Sequence, residues 1–581
     1  MRSFAKDTAA KPGETVTVKG WVNSRRDHGG LIFIDVRDHT GVVQLVIIPE
    51  QNEAFTIAEQ LRDEFVIAAT GTVRERAEEL KNPNIESGSV EIKVESLEIL
   101  NRSEALPIQI EGSAQANEEL RLKYRYLDLR RPKMQTMLKK RAEMYGRIRA
   151  FMEAEQFTEV TTPIIANSSP EGARDFLIPA RMHPGKFYAL PQAPQQFKQL
   201  LMVGGVSRYY QLAACFRDED PRADRLYGEF YQLDLEVAFA ENGEEIRTLT
   251  EPLIKQLVTE FAGKKLLTEQ IPRIPYVEAM EKYGSDKPDL RYGMELTELS
   301  EELKNTDFGV FKNAEVVKAI CVKGASELSR SQIDKFTEIA KSEGAGGLAY
   351  LTYKDGEVQS PIAKFLKPEE LEAIKSKLGA EDGDVIFFGA DKRAVVNKVL
   401  GKLRIAFADH FELKDPNTIA LCWIVDFPFY ELDEKTGKLD FGHNPFSMPK
   451  GGLQALEAED KLSIVADQYD MVMNGYEICS GGVRNHNPEV MYKVFGILGF
   501  DEQYVNDRFG AMINAFKYGA PPHAGCAYGV DRILMELVGE SNVREVVAFP
   551  KNGSGVDVMM NSPNLAVVEQ LDELNLRIVE H

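Results

Sequence analysis

Gly525-Cys526-Ala527-Tyr528-Gly529-Val530-Asp531-Arg532, running into Ile533-Leu534-Met535-Glu536-Leu537, is the stretch from which the architecture can be read. It predicts a strand of small residues, a tight turn and a helix. Gly525 and Gly529 let backbone come close, either to a neighbouring strand or to a flat ligand. Asp531 falls where a helix N-terminus takes an acceptor. Arg532 sets a rigid fork of donors at the mouth of whatever the strand lines. Taken alone, the pattern equally fits a buried strand with Arg532 in a structural ion pair.

Two further stretches answer it. Tyr209–Phe216 and Glu229–Glu236 are extended runs flanking a charged loop that begins Arg217-Asp218-Glu219-Asp220-Pro221. They predict a long antiparallel hairpin with an Arg at the strand end. An amphipathic helix around Leu138–Phe151 precedes a third extended run, Phe157–Pro163.

The chain has 581 residues, enough for two to four domains. Hydrophobic residues make up 43% and charged residues 28%, ordinary for a globular protein. No apolar run reaches the ~18 residues of a membrane span, and Met1–Asp7 lacks the apolar core of a secretory signal. Cys215, Cys321, Cys422, Cys479 and Cys526 are scattered without a paired-cysteine motif, which argues against a zinc site and for a cytoplasmic location. The net charge of −21 disfavours non-specific nucleic-acid binding but leaves room for a local RNA surface.

Period-2 alternation at Val16, Val18 and Val22, at Leu31 and Phe33, and at Val43, Leu45 and Ile47 predicts half-buried strands. A short helix at Glu53–Arg62 and two strands near Phe65–Arg74 and Ser89–Leu100 complete the order of a five-stranded OB-fold barrel, a platform for single-stranded nucleic acid. Phe33 admits two readings, a core residue or an exposed aromatic beside Arg25 and Arg26 for base stacking. The expected divisions are a barrel at 1–105, a hinge at 106–135, one α+β domain in two parts (136–285 and 415–562), an inserted α+β domain at 286–414, and an extension at 563–581. The insertion is expected to hold strands at Gly347–Tyr353 and Asp384–Gly389 and helices at Ser329–Ser342 and Pro368–Leu378. Gly344–Gly347 reads as a turn, because no Lys-Ser/Thr follows it.

The three stretches resemble motifs 1, 2 and 3 of class II aminoacyl-tRNA synthetases. Leu122–Arg131, Ser169–Phe176, Leu190–Gln199 and Tyr283–Arg291 narrow the likeness to the bacterial-type aspartyl-tRNA synthetases, over nearly the whole chain. The resemblance implies an antiparallel-sheet catalytic domain, a GAD-like insertion, and two-step attachment of L-aspartate to tRNA with ATP as substrate and Mg²⁺ as its companion ion. It implies that Arg217 holds the α-phosphate and the substrate carboxylate, and that Arg532 lies at the adenine and γ-phosphate end. Asp218, Glu219, Glu477 and the run Gly529, Val530, Asp531, Arg532 would line ATP, with Asp470 and Glu477 as the metal carboxylates. Glu171, Gln195, Lys198, Asp234, His443 and Arg484 would bind aspartate, Arg484 taking its side-chain carboxylate with Lys198 beside it. A buried Arg–Lys pair without an anion is costly, so this pocket should demand a carboxylate. Arg26, Phe33, Gln44 and Glu91 would meet the anticodon, and Pro163 would lie in a homodimer interface.

Three departures from the family pattern stand out. Asn444 occupies the place of a second His, the link Leu226-Tyr227-Gly228 differs, and His28 replaces a Leu in the barrel loop. A His there is associated with charging of both tRNA(Asp) and tRNA(Asn), which would require a downstream tRNA amidotransferase; strict tRNA(Asp) specificity is the alternative. Asparaginyl or lysyl relatives fit Arg484 and the insertion less well. A non-catalytic RNA-binding paralogue would be expected to have lost Arg217, Glu219, Glu477 or Arg532. A tRNA-free ligase would have no use for the barrel.

Overall fold

Alternating apolar residues close a barrel in the computed structural model, which describes residues 2–112, 116–168, 173–433 and 435–579. The chain divides into two units, Met1–Thr136 and Met137–His581. In the first, strands β1 (Thr15–His28), β2 (Leu31–Asp38), β3 (Gly41–Ile47), β4 (Val66–Glu75) and β5 (Val90–Asn101) pair in the order β1-β2-β3-β5-β4 and back to β1, with helix α1 (Asn52–Glu59) after β3. Val16, Val18, Val22, Val43, Leu45 and Ile47 fill the interior as their alternation requires.

In β2 the phase is opposite to the one read from Leu31 and Phe33. Ile32, Ile34 and Val36 point inward, and Leu31 and Phe33 are only half-buried. The run Leu31-Ile32-Phe33-Ile34 is apolar throughout, so period alone cannot choose its face; pairing decides it. Phe33 therefore belongs to the outer surface. The β1–β2 turn is Gly29-Gly30, both at positive φ, as a two-residue hairpin turn demands.

The second unit is organised on an eight-stranded sheet. Its order is Arg273–Pro275, Leu421–Val425, Gln468–Met473, Tyr476–Val483, His523–Gly529, Gly228–Ala238, Arg208–Arg217, Thr158–Glu159. All pairings are antiparallel except the two at the ends. The Arg208–Arg217 and Gly228–Ala238 strands form the long hairpin, pairing Arg217 with Gly228 through Val237 with Arg208. Thr158–Glu159 is a much shorter strand than the extended run read from the sequence.

A Cβ on Gly525 would collide with the Glu236 carboxylate and the Leu235 carbonyl of the neighbouring strand, whereas Gly529 has no such neighbour. Gly525 thus serves strand packing, whereas a Cβ on Gly529 would make only ordinary contacts, at 3.9 Å. Asp531 does not cap the helix Val530–Val538. Gly529 holds the cap position, and Asp531, inside the first turn, accepts the Tyr231 N–H (2.9 Å) and pairs with Arg141 (2.6 Å).

A separate five-stranded sheet lies between residues 297 and 391, ordered Thr297–Glu298, Val316–Val322, Val385–Asp391, Ala349–Lys354, Glu357–Gln359. Helices Arg330–Ser342 and Arg393–His410 pack Phe336, Val396, Leu400 and Phe407 into its core. Ser329 caps the first with a reciprocal Gln332 capping box. The helix Pro368–Leu378 has the bounds expected from sequence. The terminal helix is Val568–Glu573.

Candidate active site

The central sheet strands end around a cavity of about 530 Å³. Seven basic and six acidic side chains line it, so the cavity is slightly positive in a chain of net charge −21. Gln195, Lys198, Arg217, Glu219, Asp234, His443, Asp470, Glu477, Arg484, Gly529, Asp531 and Arg532 are all on its wall. Glu171 lies outside the described residues, and Asp218 and Val530 are not among the lining residues.

One end is a buried charge network. Lys198, from the helix Gln195–Val203, is 2% exposed and places Nζ 2.6 Å from Asp234 Oδ1 and 3.3 Å from Glu236 Oε2. Arg484 donates from Nε (2.8 Å) and Nη2 (3.2 Å) to the two oxygens of Glu236. The sequence reading missed Glu236. It corrects the expectation of a cation pair waiting for an anion, because Glu236 already lies between Lys198 and Arg484. Its signal was available in principle: Asp234 and Glu236 alternate on one strand and so share a face.

Not every donor and acceptor is consumed. Among the described residues, Arg484 Nη1 has no acceptor and Asp234 Oδ2 has no donor. Burial pushes the Asp234 carboxyl up, against the pull of Lys198. Burial acts on Glu236 too, but Arg484 and Lys198 outweigh it and hold that carboxyl below its ordinary range. Behind the network, Gln195 donates to Gln199 (2.9 Å) and Gln199 meets the His523 ring (3.0 Å).

The middle belongs to Arg217. Its neighbours in sequence, Asp218 and Glu219, are the carboxylates that could pair with it at the surface. Instead Asp218 lies 3.6 Å from Arg174 and accepts from Tyr227, and Glu219 pairs with Arg225 at 2.7 Å. The Arg217 guanidinium rests over the Phe230 ring, 5.0 Å from its centre, and its buried Nε has no acceptor among the described residues. A planar cation held on an aromatic face with unspent donors is prepared for an oxyanion.

The far end is a carboxylate pair on a hairpin. Gln468–Met473 and Tyr476–Val483 are joined by Asn474-Gly475, both at positive φ, which puts Asp470 and Glu477 on the cavity side. Burial and Glu477 push the Asp470 carboxyl well up. For Glu477 burial is outweighed by Lys287, Arg532 and Arg217, and its carboxyl titrates low. Lys287, 3.0 Å from Glu477, lines the cavity and has no role from sequence, although it lies in the Tyr283–Arg291 stretch. Arg532 is tied down, pairing with Asp224 (3.0 Å) and donating to the Glu477 carbonyl. It is both a structural ion pair and a cavity residue.

His443 stands exposed at the mouth, edge-on to Phe427 at 4.7 Å. Asn444 accepts from the Phe446 and Ser447 N–H groups (both 3.0 Å), so it anchors its own loop. Leu226 lines the cavity despite its altered surroundings.

On the barrel, Arg26 pairs across to Phe33, and Asp35 to Gln44. The parallel register that joins Leu45 to Ile92 sets Gln44 beside Glu91. Arg26, Phe33, Gln44 and Glu91 therefore share one outward face, with His28 exposed at its edge. Pro163 is exposed and followed by exposed Ile164 (49%) and Ile165 (55%).

Residues 117–553 match the family described as tRNA synthetases class II (D, K and N), and residues 16–100 match the OB-fold nucleic acid binding domain. The chain is 50% identical over 567 residues to an aspartate–tRNA(Asp/Asn) ligase of Chlorobium chlorochromatii, covering 97% of this chain and 93% of that relative. It is 48% identical over 575 residues to one of Rickettsia bellii, covering 97% and 95%. Among solved structures, the asparaginyl-tRNA synthetase of Pyrococcus horikoshii complexed with asparaginyl-adenylate superposes with a TM-score of 0.59 at 19% identity, covering 95% of this chain and 98% of that one. The aspartyl-tRNA synthetase of Entamoeba histolytica gives 0.57 at 20% identity, covering 95% and 92%. No described helix is long and apolar enough to cross a membrane.

Proposed function

The chain belongs to the class II tRNA synthetases of the D, K and N group, and from that premise we infer that it is an aspartate–tRNA ligase working through an aspartyl-adenylate. One observation carries the reading. A single cavity joins the Lys198–Glu236–Arg484 network to Arg217, whose Nε has no acceptor among the described residues. It offers a site for a small dicarboxylate next to a site for a phosphate.

In the first step the α-carboxylate of aspartate attacks the α-phosphate of ATP and pyrophosphate leaves. Such a transfer needs alignment and charge neutralisation more than a protein nucleophile. Arg217 faces both reacting anions. Arg484 Nη1, with Lys198 behind it, takes the side-chain carboxylate, and Asp234 and Gln195 take the ammonium, with Glu171 and His443 completing the pocket. An asparagine amide returns an N–H₂ to Arg484 where a carboxylate oxygen is wanted, which leaves donors facing donors. In the second step a terminal ribose hydroxyl of the tRNA attacks the adenylate carbonyl and AMP leaves.

Glu219, Glu477 and Gly529–Arg532 line ATP. Gly529 lines the cavity without a side chain, which suits the approach of a flat base. Asp470 and Glu477 would hold Mg²⁺. Asp470 Oδ1 is buried without a donor among the described residues, and two carboxylates completed by phosphate oxygens are a hard-oxygen set that suits this ion. When bound, Mg²⁺ supplies neutralisation of the phosphate charge.

The same reading assigns 1–105 to anticodon binding, 106–135 to a hinge, 286–414 to an insertion between the catalytic parts 136–285 and 415–562, and 563–581 to an extension. It makes exposed Pro163, Ile164 and Ile165 part of a homodimer interface, and the location cytoplasmic. His28 supports acceptance of both tRNA(Asp) and tRNA(Asn), with an amidotransferase downstream. The test is charging of purified tRNA(Asp) and tRNA(Asn), separately, with labelled aspartate. Charging of both is expected. Charging of tRNA(Asp) alone keeps the ligase and removes the role given to His28; charging of neither overturns the reading.

A further inference from the structure

The segment Gly284–Gly293 carries Lys287 to the cavity but contains no helix or strand. Some of its order is local. The Lys287 N–H donates to Ser285 Oγ at 3.0 Å, and Asp289 takes the Arg291 guanidinium at 2.7–3.2 Å. The rest comes from the long helix Arg393–His410, whose other face fills the core of the five-stranded sheet.

Three residues of that helix, Asn397, Gly401 and Arg404, lie on one stripe at spacings of four and three. Asn397 donates to Glu281 at 3.3 Å. Gly284 and Gly401 meet backbone to backbone. A Cβ on Gly401 would fall 2.6 Å from the Gly284 carbonyl oxygen, and Gly284 is at φ +65°. Arg404 then closes the contact. Its Nη2 donates to the carbonyls of Asp289 (2.7 Å), Tyr292 (2.9 Å) and Gly293 (3.0 Å), and its Nε to Gly293 (3.2 Å). The guanidinium lies over the Tyr283 and Tyr292 rings, 5.1 and 4.4 Å from their centres.

Arg404 is 2% exposed, and among the described residues no carboxylate pairs with it. A buried cation without an anion is an expensive way to fill space that a methionine would fill as well. What the guanidinium adds is the convergence of three carbonyls from one irregular segment. That segment abuts the Asn474-Gly475 turn of the carboxylate hairpin: a Cβ on Gly475 would sit 3.4 Å from Asp289 Cβ and 3.8 Å from the Lys287 carbonyl oxygen. From Arg404 the chain of contact runs through Asp289 to Lys287 and then to Glu477 at 3.0 Å.

We propose that Arg404, in the inserted layer, is a positioning residue for the nucleotide end of the cavity, acting by holding the 284–293 segment so that Lys287 neutralises Glu477. The proposal rests on the ATP-site reading given above. It predicts a one-sided effect. Loss of Arg404 frees Lys287 and changes how ATP is held, while the Lys198–Glu236–Arg484 end keeps all its contacts.

The test is aspartate-dependent ATP–pyrophosphate exchange by the full-length enzyme, with KM for ATP and for aspartate measured separately. R404M is expected to raise KM for ATP at least about fivefold and to leave KM for aspartate within about twofold. In a K287M background the same substitution should add less than about twofold, because the route is already cut. R404K, which cannot reach all three carbonyls, should fall between R404M and wild type, and it replaces R404M if that variant fails to fold. Equal changes in both KM values, or an R404M effect of the same size with and without Lys287, overturn the proposal. An absence of exchange in the wild-type enzyme overturns the ATP-site reading instead.

Discussion

The outer face of the barrel and the catalytic cavity are both expected to hold anions, and they are built in opposite ways. On the barrel the charges are at the surface. Arg26 is 58% exposed in its side chain and meets Asp35 at 3.0 Å, a pair that water and salt screen. In the cavity Lys198, Asp234, Glu236 and Arg484 are 0–6% exposed and neutralise one another. A surface that meets a long, flexible polyanion gains from groups that can move. A pocket that must tell one carboxylate from an amide gains from donors fixed before the substrate arrives.

The sharpest way to break the contrast is to remove one charge from the buried network. Arg484→Leu leaves Glu236, among the described residues, with Lys198 as its one ion-pair partner, 3.3 Å away. Breaking a buried pair costs about 3–5 kcal/mol. Aspartate-dependent pyrophosphate exchange should therefore fall by a factor of at least about 10², with ATP binding largely intact. Thermal melting run alongside separates this from unfolding, and Arg484→Lys, which keeps the charge without the fork, should recover folding but not activity. Unchanged exchange in Arg484→Leu would remove Arg484 from the pocket.

The same contrast explains what sequence made legible. The barrel strands, the long hairpin and the glycine strand leading into Val530–Val538 follow from local patterns that the fold obeys. The phase of β2 did not, because four consecutive apolar residues carry no phase. Lys198, Arg217, Asp234, Asp470, Glu477, Arg484 and Arg532 converge on one cavity as the motif likeness implies. Spacing shows that Glu236 shares a strand face with Asp234, but the roles of Glu236 and Lys287 lie in what faces them across 248 and 190 residues of chain, which spacing does not encode.

Phe33→Ala tests the other side of the comparison, and its effect should be smaller. The ring is half-buried on the outer face, so truncation leaves the barrel core intact. Stacking of a base on an aromatic is worth about 1–3 kcal/mol. KM for tRNA in charging should rise by about 5- to 150-fold, while pyrophosphate exchange without tRNA stays at the wild-type rate. Equal losses in both assays would mean that Phe33 supports the fold and not the RNA.

The smallest expected effect is at Arg26. Its ion pair with Asp35 is exposed, so Arg26→Gln should change the stability of the barrel by less than about 1 kcal/mol. If Arg26 meets tRNA phosphate, its loss should still leave a signature that Phe33→Ala lacks. Each neutralised phosphate on a single strand contributes about 0.7 to the slope of log affinity against log salt. Titrating tRNA binding from low to high salt should thus give a slope shallower by about 0.7 for Arg26→Gln and an unaltered slope for Phe33→Ala. A parallel shift for both variants would make the two side chains a single stacking platform, with the charge of Arg26 spent on Asp35. A change of slope confined to Arg26 would make the outer face what the buried cavity is not, a surface that keeps its cation available until the ligand supplies the anion.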